Sequence, residues 1–226
     1  MRKVLLATFS VLLLVPAMVS AQDNCLDCTL GIYATTDLSE NFLNWTPSAT
    51  DFQKTIFVGI NYDETSGLSA LTGVELSIQY GDLKANVASV NFQELDNPAV
   101  VLGADESAPA DTTSHGCTEQ SACGKSIAWA SCLPGNRAVA QISIIAFTPL
   151  PDDLVIRVLR RFPSTNPTVQ SPLFTQCDGP LFTKTRVTGG CFVFNPTVGP
   201  GGMVDDCEIK VPVAPNSWSK IKSLYR

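Results

Sequence analysis

One histidine, His115, occurs in 226 residues, and its isolation excludes much of hydrolytic chemistry. A serine or cysteine relay needs an imidazole beside its nucleophile. His115 lies between Ser114 and Gly116 in a polar stretch, and no G-x-S-x-G elbow points to it, so it is expected to be a solvated loop residue. Also missing are H-E-x-x-H, Walker, Rossmann and EF-hand loops. Gly199, Gly201 and Gly202 come without the strand, helix and lysine that let glycines hold phosphate. Basic residues are few, 15 against 21 acidic, for a formal charge of −6. An acidic surface repels phosphate backbones and offers no basic patch to anionic lipid, which argues against nucleic acid and membrane-surface partners. After the first residues no apolar run approaches the roughly 20 residues that a membrane-crossing helix requires.

These gaps leave no catalytic residue, metal or cofactor to assign. Calcium is conceivable at Asp63 with Glu64, Asp152 with Asp153, or Asp205 with Asp206, but none has the ligand ladder of a calcium loop, and each is expected to be a solvated turn. Among 21 acidic residues some carboxylate pair arises by chance, so a glycosidase-like pair cannot be singled out. Of the tryptophans, Trp129 falls in strand alternation and is expected in the core. Trp45 alone reads as a loop residue able to stack on a sugar, and one ring is a poor platform.

The amino terminus is informative. Arg2 and Lys3, an apolar run from Val4 to Val15, and small residues closing at Ser20 and Ala21 have the order of a secretory signal peptide, with cleavage expected after Ala21. Residues 1–21 hold two of the basic residues and none of the acidic ones, so the remaining 205 carry a formal charge of −8. All eight cysteines, Cys25, Cys28, Cys117, Cys123, Cys132, Cys177, Cys191 and Cys207, lie in that remainder. In an exported chain an even count reads as a disulfide framework. Zinc is disfavoured because the Cys25/Cys28 pair has no second closely spaced pair to close a four-ligand site.

Strand signals dominate the rest of the chain. Val74, Leu76, Ile78 and Tyr80 alternate with Glu75, Ser77 and Gln79, which places one face on a core. The same reading gives strands at 30–35, 52–62, 87–95, 127–131, 138–147, 154–159, 182–187, 191–194 and 208–213, about ten in all, separated by Gly, Pro, Asn and Asp. Such spacing belongs to a sandwich rather than to alternating strands and helices. Residues 105–124 read as a long polar loop, and Gly189-Gly190 as a turn between strands. The expected division is a signal peptide (1–21), a β-sandwich domain (22–195), a flexible connection (196–207), and a terminal strand with a short amphipathic helix (208–226). In that helix Trp218, Ile221, Leu224 and Tyr225 share one face, capped by Asn216 or Ser217.

The segment LTGVELSIQYGDLKANVASVNF (71–92) resembles the cohesin-like β-sandwich layout. GIYA (31–34), SIAWASC (126–132), CDGPLFTKTRVTGGCFVFNP (177–196) and the ending SWSKIKSLYR (217–226) resemble secreted bacterial β-sandwich proteins that carry these blocks in the same order. The resemblance implies an exported, all-β, cohesin-like or immunoglobulin-like antiparallel sandwich. The cohesin comparison further implies protein–protein docking, by analogy of fold. Because the blocks recur together, Cys132 is expected to pair with Cys177 and, within the loop, Cys117 with Cys123. Cys25, Cys28, Cys191 and Cys207 remain open among themselves. The expected function is a non-catalytic extracellular or cell-surface module acting through a protein partner or self-association, with the tail face as a docking element. The alternatives are a self-assembling subunit of a surface layer or filament, and a carbohydrate-binding or hydrolytic secreted protein.

Overall fold

The computed structural model describes residues 24–61, 70–104, 123–134, 136–162, 164, 171–177 and 184–210, with side chains outside the description at 24–27, 134, 184 and 185. The signal segment, the acidic pair Asp63 and Glu64, His115, Cys117 and the tail residues Trp218, Ile221, Leu224 and Tyr225 lie outside the described residues. In chain order the elements are β1 (Asn24–Tyr33), β2 (Phe42–Leu43), β3 (Gln53–Asn61), β4 (Ala70–Gln79), the single turn α1 (Leu83–Asn86), β5 (Ser89–Glu94), β6 (Val100–Ala104) and β7 (Gly124–Pro134). They continue with β8 (Arg137–Ile145), β9 (Leu154–Leu159), β10 (Leu173–Gln176), β11 (Lys184–Gly189), β12 (Cys191–Phe194), β13 (Met203–Val204) and β14 (Cys207–Glu208).

The protein is an all-β sandwich with mostly antiparallel pairing. Its hydrogen-bonded path runs β2-β12-β9-β4-β10-β11-β1-β3-β8-β5, with β7 on β4 and β6 on β7. The long strand β4 belongs to both parts of this path: Leu71–Glu75 pair with β10 and Ser77–Gln79 pair with β9. The path folds back on itself, so β5 and β7 meet across the interior without a ladder between them. There Lys125 of β7 pairs with Glu94 of β5 and sits 4.9 Å from the centroid of the Phe92 ring, while the Trp129 indole donates to the Leu95 carbonyl at 3.0 Å.

Alternation builds the core. Val74, Leu76, Ile78 and Tyr80 are buried, as are Leu154, Ile156 and Val158 of β9 and Ile142 and Ile144 of β8. Phe192 and Phe194 of β12 point inward and meet edge to face, with ring centroids 5.0 Å apart. The opposite side of β4 is covered too. The Ser77 hydroxyl donates to the Arg160 carbonyl at 2.7 Å, and the Ser164 hydroxyl lies 3.2 Å from the Glu75 carboxylate, which gives those buried polar groups partners.

Gly189-Gly190 is not a hairpin turn. β11 pairs with β1 and β10, whereas β12 pairs with β9 and β2, so these two glycines carry the chain from one part of the path to the other. The Gly190 amide donates to Leu30 at 2.9 Å and its carbonyl accepts from Val158 at 2.8 Å. A Cβ on Gly189 would stand 2.1 Å from the Val158 oxygen, so only glycine permits this crossing.

The segment expected to be a flexible connection, 196–207, packs more than its composition suggests. β13 and β14 form a two-residue hairpin whose central Asp205 and Asp206 both have positive φ (45° and 62°), the backbone of a type I′ turn. Val204, Cys207 and Ile209 are buried with Val193, on the reverse side of β12 from the main core. A Cys191–Cys207 disulfide fastens this hairpin to β12. A second disulfide joins Cys132 to Cys177 across 45 residues, for which loop-closure entropy gives about 4 kcal/mol. Cys28 and Cys123 are also disulfide-bonded.

Candidate functional site

The residues that the sequence marks for chemistry are mostly committed to structure. Trp45 is only 2% exposed, so it is a core residue and not a sugar platform. Its amide donates to Asn195 Oδ1 at 2.7 Å, its indole donates to the Asp51 carbonyl at 3.1 Å, and its ring packs 6.4 Å from that of Phe194. Asp153 caps a turn: one carboxylate oxygen accepts the Thr197 amide at 2.8 Å and the other the Thr197 hydroxyl at 2.6 Å. Those hydrogen bonds, the hydroxyl's first, hold its carboxyl below the usual range. Asp205 pairs with the Arg157 guanidinium at 2.8 Å. Among the described residues no three His, Cys, Asp or Glu side chains gather as a metal group, and no helix is long and apolar enough to cross a membrane.

A cleft of about 130 Å³ lies on the outer side of β1 and β11, with Thr29, Gly31, Thr188 and Gly190 as its floor and Glu208 and Lys210 of the hairpin segment at its side. Asn41 and Tyr33 also line it, and both are engaged. The Asn41 amide donates to the Glu208 carbonyl at 2.8 Å and to the Cys191 carbonyl at 3.3 Å, while its oxygen accepts the Lys210 amide at 2.8 Å. Burial pushes the Tyr33 phenol up to about 12, partly offset by a hydrogen bond with Asn61. Besides Tyr33, the titratable groups of the lining are Glu208 and Lys210, and its cysteine, Cys191, is already in a disulfide.

The sheet edges differ from one another in a way that bears on partners. β2 has only two residues. Along β5 the exposed positions are Ser89, Asn91 and Gln93, a polar row. β6 is Val-Val-Leu-Gly-Ala, pairs among the described strands only with β7, and is exposed at every position. Val100 is 48% exposed, Val101 38% and Leu102 56%, so the apolar side chains of both faces meet solvent. Opposite them on β7 stand Ala128, Ile127 and Ser126. Edge strands are ordinarily blunted by lysine, proline, a bulge or shortness, because their unpaired N–H and C=O groups template further pairing. β6 has no such residue and runs five residues in register. Its sequence hides it, because a short apolar run without alternation lacks a period.

No family model matches the chain, and no curated protein matches it. Among solved structures the chain is similar to the seventh ScaB type I cohesin from Pseudobacteroides cellulosolvens, with a TM-score of 0.30 and 11% identity, over 78% of this chain and 97% of that one.

Proposed function

We propose that this chain is a non-catalytic extracellular or cell-surface module that acts through protein–protein contacts. The observation that carries the reading is β6, an apolar edge strand exposed on both faces with no guarding charge. Such an edge binds an incoming strand through main-chain hydrogen bonds, and its alternate side chains supply specificity. The signal-peptide pattern of residues 1–21 and the disulfides Cys132–Cys177 and Cys191–Cys207 support work outside the cytoplasm. The tail face of Trp218, Ile221, Leu224 and Tyr225 serves as a second docking element. The self-assembly reading draws on the same edge. Burial of Trp45 removes the residue on which a carbohydrate-binding reading leaned.

A photo-crosslinking residue at Leu102, in the full chain produced at its native cell surface, tests this. Discrete protein adducts are expected there, and none from the same probe at Asn91 on the β5 edge. Equal labelling at the two positions, or none at Leu102, would overturn the reading.

A further inference from the structure

Resting on the reading of β6 as a docking edge, we infer that the Cys132–Cys177 disulfide is a thiol-responsive latch on that edge. Intact, it keeps β6 and β7 ordered; opened by a small thiol, it releases them. Among the described strands β6 pairs only with β7, at residues 124–128, so its order depends on how β7 is held. β7 is held in two pieces. Residues 125–128 pair with 73–76 and residues 133–134 with 70–71, so residues 129–132 stand out opposite the single residue Thr72. Trp129 is buried and its carbonyl accepts the Thr72 hydroxyl at 2.9 Å, whereas Ala130, Ser131 and Cys132 are exposed. The far end of this excursion is fastened across β4. Leu71 pairs with Leu133 on one side and with Gln176 of β10 on the other, and the next residue, Cys177, is bonded to Cys132. Without that bond a two-residue ladder alone closes the excursion, directly beside the stretch of β7 that carries β6.

Of the two disulfides with both partners described, this one is the more open to attack. Exposed disulfides are the labile, regulatory ones. Cys132 is exposed and Cys177 partly buried, while Cys207 of the other bridge is wholly buried in a segment that Asn41 also holds. A thiolate attacks Cys132 Sγ, the S–S bond breaks, and Cys177 leaves as a thiolate that takes up a proton. A second thiol then displaces the first from Cys132, so the protein gains two thiols and the reductant departs as its own disulfide.

Titrating the full secreted chain with glutathione, trapping with N-ethylmaleimide and mapping the peptides reads the order of opening. Cys132 and Cys177 should be labelled at a thiol concentration about tenfold below that needed for Cys191 and Cys207. In the chain opened at this bridge, hydrogen-exchange protection of residues 100–104 and 124–128 should fall by about tenfold or more, with β8 and β9 unchanged. The double variant Cys132→Ala, Cys177→Ala should show the same pattern with no thiol added. Earlier opening of Cys191–Cys207, unchanged protection at β6 and β7, or a loss of protection throughout the sandwich each overturns the latch. A photo-crosslinker at Leu102 keeps this failure distinct from that of the docking reading. Adducts undiminished after opening remove the latch and leave docking standing, whereas an unopened chain without adducts removes docking and leaves the exchange pattern to decide the latch.

Discussion

The side chain of Asn41 holds the main chain of Lys210 across 169 residues, its oxygen accepting the Lys210 amide at 2.8 Å while its nitrogen donates to Glu208. Three carbonyl or amide partners meet in one buried amide, which pins the β13–β14 hairpin segment over β12. Asn41→Ala leaves a donor and two acceptors without it, and an unpaired buried polar group costs about 1–3 kcal/mol. Urea unfolding should show a loss in that range, and Asn41→Asp should lose stability as well because it keeps the acceptor but not the donor. A neutral outcome for both would mean that water replaces the amide at no cost.

The interior of β4 gives a graded test. Ile78→Ala should cost about 2–5 kcal/mol through lost burial and a residual cavity. Ser77 is buried too, with its hydroxyl on the Arg160 carbonyl, so Ser77→Ala should cost less but not nothing, about 0.5–1.5 kcal/mol. Equal costs at the two positions would contradict the strand's register.

How far this arrangement is legible in the sequence depends on the range of the interaction. β9 and β12 begin and end where the sequence reading places them; β9 is half-buried and carries its own period, whereas β12 is a short apolar run buried on both faces. β10 escapes a periodicity reading because LFTQ is four residues long and shows little alternation. β13 hides beside a glycine run, and only its pairing with β14 and the Cys191–Cys207 link reveal it. Trp45 looks like a loop residue because Asn44, Thr46 and Pro47 surround it. Its burial comes from Asn195, 150 residues away, and from Phe194, contacts that no local window contains. Gly189-Gly190 reads as a turn for the same reason: the close approach of the Val158 carbonyl is a property of the two layers together.

Alkaline pH should act through Tyr33. Its phenol is raised from the ordinary value of 10.0 to about 12, chiefly by burial. A raised acid means that the folded state keeps its proton while the unfolded state releases one. The Tyr33 contribution is therefore fully present below pH 10 and is lost as pH rises towards 12, by roughly 2–3 kcal/mol at the end of that window. Tyr33→Phe should flatten the stability profile between those limits. A variant with the same alkaline slope as the wild type would show that other groups govern it.

The tail can be removed without touching the hairpin that precedes it. Lys210 is anchored by Asn41, and Ile209 is buried beside Val193, so removing residues 214–226 leaves the hairpin and its disulfide in place. A helix of about eleven residues is marginal in water on its own, so the expected helix with Trp218, Ile221, Leu224 and Tyr225 on one face needs something to cover that face. If the sandwich covers it, truncation should lower the melting temperature by several degrees, since even 1 kcal/mol moves a domain of this size by about 2–4 °C. If a separate partner or attachment apparatus covers it, the truncated protein should melt as the full chain does but be lost from the cell surface into the medium, in keeping with apolar anchors and a basic flank suited to a groove. Calorimetry and fractionation of the same variant separate the two outcomes. A truncated chain unchanged in both stability and location would remove the tail from the functional reading and leave β6 to carry it.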